Sequence, residues 1–142
     1  MMAPAAEHTL LGFDYGMRRI GVAVGQRLTR SASPLCTVRA RDGKPDWAAI
    51  TRLIEEWQPA ALVVGIPYHM DGREQAMTQA AQRFCRQLQG RYRLPVHGAD
   101  ERLSSWVVEQ GMSAREQESA DIDALAAQVI LQDWLRQERN ID

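Results

Sequence analysis

The chain has 142 residues, of which 45% are hydrophobic and 25% charged, and its formal net charge is −1. These values are typical of a globular domain and argue against extended disorder. No apolar run approaches the length that spans a bilayer, and residues 1–8 lack the pattern of a secretory signal, so we expect a cytoplasmic protein without membrane contact. We predict a single domain over residues 1–142, with residues 1–8 as a flexible tail.

Basic side chains are concentrated near the start of the chain. Residues 1–44 hold seven basic and three acidic side chains, and sixteen of the seventeen basic residues of the whole chain are arginine. The planar guanidinium of arginine suits phosphate, so the pattern permits nucleic-acid binding. It is equally compatible with arginines that only solvate exposed strands. If the partner is a nucleic acid, we expect its phosphates to contact Arg18, Arg19, Arg27, Arg30 and Arg102.

The first part of the chain predicts an antiparallel meander. Residues 10–15 and 20–25 are short, largely apolar runs bounded by glycine, which is typical of buried strands. Residues 16–19 are too few for a helical crossover, so the two strands are expected to form a hairpin. A third strand is predicted around residues 35–39, before the turn signal of residues 42–45.

The second part of the chain alternates helices with strands. Asp46 can cap an amphipathic helix that Pro59 ends, and a second helix carries its apolar residues between Met77 and Leu88. Further elements are expected: strands at 62–65 and from 96, a helix over 104–110, a mobile loop over 111–119 and a last helix over 122–135. Alternation of this kind implies parallel strands with right-handed crossovers. We therefore predict a mixed five-stranded α/β sheet flanked by helices, in the element order of ribonuclease-H-like folds.

Asp14 is the first candidate site residue. A carboxylate within an apolar strand is costly to bury unless it is paired with a cation or holds a metal ion. Gly12 and Gly16, on either side of it, would allow another backbone or a phosphate to approach closely. The alternative role is structural, because Asp14 could form an ion pair with Arg18 or Arg19 across the turn.

Two further acids lie where predicted elements begin or end. Glu101 follows the strand that begins at Val96, and acids at strand ends can point into a cleft at the sheet edge. A solvated loop followed by a helix cap at Ser104 explains the same residues equally well. Asp123 begins the last helix and is expected to face inward, although acids in a first turn also simply complement the helix dipole.

Taken together, Asp14, Glu101 and Asp123 predict a metal-binding carboxylate cluster. Mg²⁺ prefers oxygen ligands and is usually held by one or two carboxylates together with substrate phosphate. Two such ions about 3.5–4 Å apart can stabilise both the attacking and the leaving oxygen in phosphodiester hydrolysis. We therefore predict a metal-dependent nuclease that uses Mg²⁺ or Mn²⁺, with the three acids as catalytic residues and metal ligands.

At these residues the sequence resembles the YqgF family, also called RuvX, whose members are described as pre-16S ribosomal RNA nucleases or Holliday junction resolvases. The resemblance runs from about Leu10 to Leu135. It rests on these segments, in family order: Phe13-Asp14-Tyr15-Gly16, Arg19 to Val24, Val64-Gly65-Ile66-Pro67, Asp71-Gly72, Asp100-Glu101-Arg102-Leu103-Ser104 and Asp123-x-x-Ala126-Ala127. It implies a ribonuclease-H-like fold, a divalent-metal site on Asp14, Glu101 and Asp123, and a bacterial cytoplasmic role in maturing the 5′ end of 16S rRNA.

Three alternatives remain open at the level of sequence. A resolvase of branched DNA would need a dimer, because two strands must be cut symmetrically. A catalytically weak RNA-binding factor for ribosome assembly is favoured by the short acidic segment 116–121. A nucleotide-binding ATPase or sugar-kinase type would need two such domains, and this chain has room for one. We expect a monomer or weak dimer, because the predicted helices use their apolar faces on the sheet.

Overall fold

A mixed six-stranded sheet forms the centre of the protein. The structure, a computed structural model, describes residues 8–101 and 122–138. The spatial strand order is β4-β3-β2-β1-β5-β6. The strands are β1 (Thr9–Asp14), β2 (Arg19–Gln26), β3 (Ser31–Arg41), β4 (Lys44–Pro45), β5 (Ala61–Ile66) and β6 (Val96–Asp100).

The sheet is antiparallel in its first half and parallel in its second. Strands β1 to β4 pair antiparallel with their neighbours in sequence, whereas β5 pairs parallel with both β1 and β6. The parallel pairs require crossovers, and the described part of the chain contains α1 (Trp47–Trp57), α2 (Ala76–Tyr92) and α3 (Ile122–Gln137). The predicted mixed sheet is therefore confirmed. It has one additional strand, because the turn after β3 continues into the two-residue β4.

Local sequence signals explain where the helices begin and end. Asp46 caps α1, accepting a hydrogen bond from the backbone N–H of Ala49, and α1 ends at Gln58 in the left-handed conformation, directly before Pro59. Helix α2 buries Ala81, Phe84 and Leu88 at helical spacing, as predicted. The helix expected over 104–110 and the loop over 111–119 lie outside the described residues. No helix among those described is long and apolar enough to cross a membrane.

The two faces of the sheet carry different cores. On one face, α1 and α2 cover bulky side chains that include Leu11, Phe13 and Val64. On the other face, α3 covers a core rich in alanine, with Leu10, Ala23, Ala61 and Ala99 among its members. Side chains alternate between the faces of a strand, so Asp14 at the end of β1 belongs to the α3 face, with Leu10 and Gly12.

Glycines allow α3 to lie unusually close to the sheet. A methyl group on Gly12 or on Gly25 would lie 2.8 Å from side-chain atoms of Leu131. Of the two alternatives that the sequence left open at Gly12, the close approach of another part of the chain is the one observed, since the position is occupied by Leu131 of α3. Gly16 has a different neighbour, the carbonyl oxygen of Arg19, 2.5 Å from where a methyl group would lie in the tight β1–β2 turn.

Candidate active site

Asp14 and Glu101 meet at one end of the sheet. Asp14 is the last residue of β1, and Glu101 directly follows β6. Because β1, β5 and β6 all run parallel, their carboxyl ends lie at the same edge. The two side chains form a hydrogen bond with each other. Two of the three predicted acids are thus in direct contact.

Gly65 on the intervening strand β5 makes this contact possible. In the parallel register Gly65 pairs with Ala99, two residues before Glu101. A methyl group on Gly65 would lie 2.7 Å from Oε2 of Glu101 and 2.5 Å from a side-chain carbon of Ile130. The Glu101 side chain therefore lies over a strand position that has no side chain, and it reaches Asp14 across β5.

Burial and mutual repulsion raise the pKa of both carboxyl groups. Burial raises the pKa of Asp14 to about 6, and the negative charge of Asp123 contributes in the same direction. Burial raises the pKa of Glu101 to about 7, followed by the charges of Asp14 and Asp100. A hydrogen bond between two carboxyl groups requires a proton on one of them, so the pair shares a proton when it forms. The pair retains a proton close to neutral pH.

Asp123 lies nearby, but its carboxylate has another partner. It stands in the first turn of α3, and Oδ2 of Asp123 accepts a hydrogen bond from Nε of Arg19 at 2.8 Å. Gly21 brings this helical turn onto β2, because a methyl group there would lie only 1.8 Å from the carbonyl oxygen of Asp123. Arg19 therefore pairs with Asp123, and not with Asp14 across the turn.

The donor set of Asp14 and Glu101 fits a divalent cation. Two half-buried carboxyl groups in contact carry repulsion that a cation would relieve, and Mg²⁺ is commonly held by one or two carboxylates with water and phosphate. Within residues 8–101 and 122–138, however, no three side chains of His, Cys, Asp or Glu converge as a metal-binding group. The third predicted ligand, Asp123, is oriented towards Arg19 instead.

The predicted phosphate-binding arginines are distributed over both ends of the sheet. Arg18 lies in the β1–β2 connection and Arg19 is the first residue of β2, at the same end of the sheet as Asp14. Arg27 instead follows β2 and donates its backbone N–H to the carbonyl oxygen of His8. A strand of this length separates the two ends by about 25 Å. Arg30 also lies at the far end, before β3. The predicted phosphate contacts in the described residues are thus divided between the two ends of the sheet.

Arg27 has a partner of its own at that far end. Its Nε and Nη2 atoms donate to the Glu138 carboxylate at distances of 2.9–3.1 Å. The ion pair is partly buried, with exposed side-chain fractions of 33% for Arg27 and 16% for Glu138. Its geometry ties β2 to the end of α3. Arg102, the last predicted contact, lies outside the described residues.

Several cations at the same end of the sheet as Asp14 were not selected from the sequence. Arg39 pairs with Arg19 in the β2–β3 register, and Arg41 and Lys44 flank the turn that follows. A cavity of about 470 Å³ opens on the α1/α2 face of the sheet, and its lining includes Tyr15, Lys44 and Arg83. The excess of positive charge in residues 1–44 pointed to Arg39, Arg41 and Lys44, whereas it did not include Arg83.

A protein-family model described as "RuvX: Holliday junction resolvase" matches residues 8–137. A protein of Legionella pneumophila is 53% identical over 132 residues, covering 89% of this chain and 94% of its own length. A protein of Hydrogenovibrio crunogenus is 48% identical over 134 residues, covering 94% of this chain and 98% of its own length. Both carry the name "Putative pre-16S rRNA nuclease".

Solved structures with low sequence identity share the fold. RuvC of T. thermophilus in complex with a Holliday junction substrate aligns with a TM-score of 0.57 at 16% identity, covering 94% of this chain and 97% of that one. The Fowlpox virus resolvase in complex with Holliday junction DNA aligns with a TM-score of 0.56 at 10% identity, covering 91% and 97%. These likenesses confirm the ribonuclease-H-like architecture. With the family match over residues 8–137 and relatives about half identical, the chain belongs to the RuvX family.

Proposed function

We propose that this protein is a metal-dependent nuclease that processes the 5′ end of precursor 16S rRNA. The observation that carries the proposal is the hydrogen-bonded pair of Asp14 and Glu101 at the carboxyl ends of parallel strands. The names of the relatives supply the substrate. We further propose that the protein acts in the cytoplasm as one domain over residues 1–142.

The carboxylates of Asp14 and Glu101 would hold Mg²⁺ or Mn²⁺, with Asp123 as the third ligand. When bound, a divalent cation supplies a Lewis acid that activates water and neutralises charge on a phosphodiester. The pair must release its shared proton to bind a cation, since carboxylate ligands are deprotonated. Burial of the pair strengthens its interaction with any cation that enters.

The substrate backbone would approach from the β1–β2 connection. Arg18 lies in this connection and Arg19 begins β2 directly after it, with a side chain that is 66% exposed. Arginine at such a position can contact a phosphate with two N–H groups at once. We therefore propose that Arg18 and Arg19 bind the phosphates of the scissile region, while the partly buried Arg27 stabilises the fold.

An assay on two substrates tests this function. The purified protein is incubated with a labelled RNA that carries the precursor 5′ extension of 16S rRNA, and separately with a four-way DNA junction, in Mg²⁺ or Mn²⁺. We expect cleavage of the RNA within or beside the extension and no symmetric nicking of the junction. RNA binding without cleavage under any divalent metal would contradict the nuclease proposal and favour a ribosome-assembly factor.

The second candidate is a resolvase of branched DNA, which the family description and the fold of the junction resolvases favour. Symmetric cutting needs two active sites in a stable dimer with a substantial interface. We propose a monomer or weak dimer, because the buried side chains of α1, α2 and α3 pack on the sheet. Sedimentation at micromolar concentration tests this, and a tight dimer that releases paired, symmetric DNA products would contradict the RNA assignment.

A further inference from the structure

The ion pair between Arg19 and Asp123 is short and yet accessible to solvent. The distance from Nε of Arg19 to Oδ2 of Asp123 is 2.8 Å, and the exposed side-chain fractions are 66% and 29%. An ion pair with this exposure contributes little to stability, because water and salt screen it. A nucleic-acid backbone, which presents several phosphates close together, could therefore draw the guanidinium away at small cost.

Asp123 itself lies within electrostatic range of the carboxylate pair. Its charge is the second largest cause of the raised pKa of Asp14. Its backbone is fixed on β2 by the close contact at Gly21, so only the side chain is left to change partner. The carboxylate thus stands between Arg19 on one side and the Asp14–Glu101 pair on the other.

We propose that Arg19 is a positioning residue that keeps the Asp123 carboxylate away from the Asp14–Glu101 pair until substrate phosphate binds Arg19 and releases it. The inference rests on the proposed function and deepens it, because it makes completion of the metal site depend on nucleic acid. Before substrate binds, a divalent cation must compete with Arg19 for the third ligand. After substrate binds, that competition is removed.

Thermodynamic linkage makes this coupling reciprocal. If bound nucleic acid strengthens metal binding, then the metal must strengthen nucleic-acid binding by the same factor. Removing the guanidinium should therefore have two effects. It should raise the affinity for metal in the absence of nucleic acid, and it should reduce the coupling between the two ligands. A purely structural role for Arg19 predicts neither effect.

The first measurement is the Mn²⁺ affinity of the protein in the absence of nucleic acid, determined by electron paramagnetic resonance. Arg19→Gln should bind Mn²⁺ about threefold to fivefold more tightly than the wild-type protein, the range expected for loss of an exposed ion pair. Arg39→Gln is the matched control, because Arg39 is an exposed cross-strand neighbour of Arg19 that has no carboxylate ion-pair partner among the described residues. Arg19→Lys keeps the charge and should stay near the wild-type affinity.

The second measurement is the affinity for RNA with and without Mn²⁺, determined by fluorescence anisotropy. The probe is a short single-stranded RNA whose phosphates are replaced by phosphorothioates. Mn²⁺ should tighten binding to the wild-type protein severalfold and tighten binding to Arg19→Gln by a smaller factor. Unchanged or weaker Mn²⁺ affinity in Arg19→Gln would overturn this inference alone. Absence of Mn²⁺ binding to the wild-type protein would overturn the inference and the proposed metal centre together.

Discussion

Gly21 and Asp123 are in backbone contact, although they belong to β2 and to the first turn of α3. A methyl group on Gly21 would lie 1.8 Å from the carbonyl oxygen of Asp123 and 3.0 Å from the backbone nitrogen of Ala124. Both neighbours are backbone atoms, which cannot rotate aside as a long side chain can. The position of Asp123 therefore depends on a glycine in β2, which lies on the opposite side of β1 from β5 and β6.

Gly21→Ala is expected to displace the start of α3 and to destabilise the protein. Inserting a methyl group into a packed contact typically costs about 1–3 kcal/mol, and contact with backbone favours the upper end of that range. Urea unfolding measures the change. Gly90→Ala is the control, because Gly90 is exposed on α2 with nothing within 4 Å of the added methyl group. That variant should gain roughly 0.5–1 kcal/mol from helix propensity. Equal stability of the Gly21 variant and the wild-type protein would contradict the close contact.

Asp14→Asn is expected to stabilise the metal-free protein at neutral and alkaline pH but not in acid. In the folded protein the pKa of Asp14 is raised to about 6 and that of Glu101 to about 7, whereas both pKa values are near 4 in the unfolded chain. At a pH between about 4 and these raised values, the folded protein therefore binds more protons than the unfolded chain. Folding stability contributed by the protonated pair is therefore present in acid and is lost as the pH rises through about 6–7. Replacing Asp14 by Asn removes one of the two negative charges, so the variant should not lose this stability at high pH.

The comparison requires melting temperatures of the two proteins in a chelating buffer. Near pH 8 the Asp14→Asn protein should exceed the wild type by roughly 1–2 kcal/mol, or about 3–8 °C, and near pH 4 the two should coincide. A variant that is less stable at pH 8 would mean that Asp14 is a structural ion-pair partner. A gain that is independent of pH would point away from repulsion between the carboxylates.

Arg27 is expected to contribute to stability, whereas Arg18 is expected to contribute to RNA binding. Arg27→Gln leaves the partly buried Glu138 carboxylate without its partner, so it should reduce the free energy of unfolding by about 1 kcal/mol or more. Its RNA binding should keep the salt dependence of the wild type. Arg18→Gln should retain stability and reduce the log–log salt slope of RNA binding by about 0.7, the value for one phosphate contact on a single strand. The reverse pattern would move the RNA surface to the far end of the sheet.

Much of the fold could be predicted because its signals are local. These signals are the four-residue connection between β1 and β2, the Asp46 cap and the apolar spacing of α2, and each acts within a few residues along the chain. Asp14 and Glu101 could be selected for a similar reason, since an acid at the end of an apolar strand is conspicuous in sequence. The strand β4 was missed because two residues carry no periodicity.

The remaining features of the site depend on partners that are distant in sequence. Gly65 matters because the Glu101 side chain passes over it, and a glycine in a strand indicates close approach without naming what approaches. Arg27 was predicted to bind phosphate because composition cannot reveal that Glu138 lies beside it. The orientation of Asp123 towards Arg19 likewise follows from the packing of α3 on β2.

Cleavage of precursor 16S RNA by carboxylate variants tests the central claim most directly. The wild-type protein, Asp14→Asn, Glu101→Gln and the control Glu56→Gln, an exposed acid on α1, are titrated with Mn²⁺ on the same labelled RNA. We predict Mn²⁺-dependent cleavage by the wild-type and Glu56→Gln proteins, loss of at least about 100-fold in rate for the two site variants, and melting temperatures that show all four folded. Cleavage by Asp14→Asn or Glu101→Gln at the wild-type rate would contradict the assignment of the active site to this carboxylate pair.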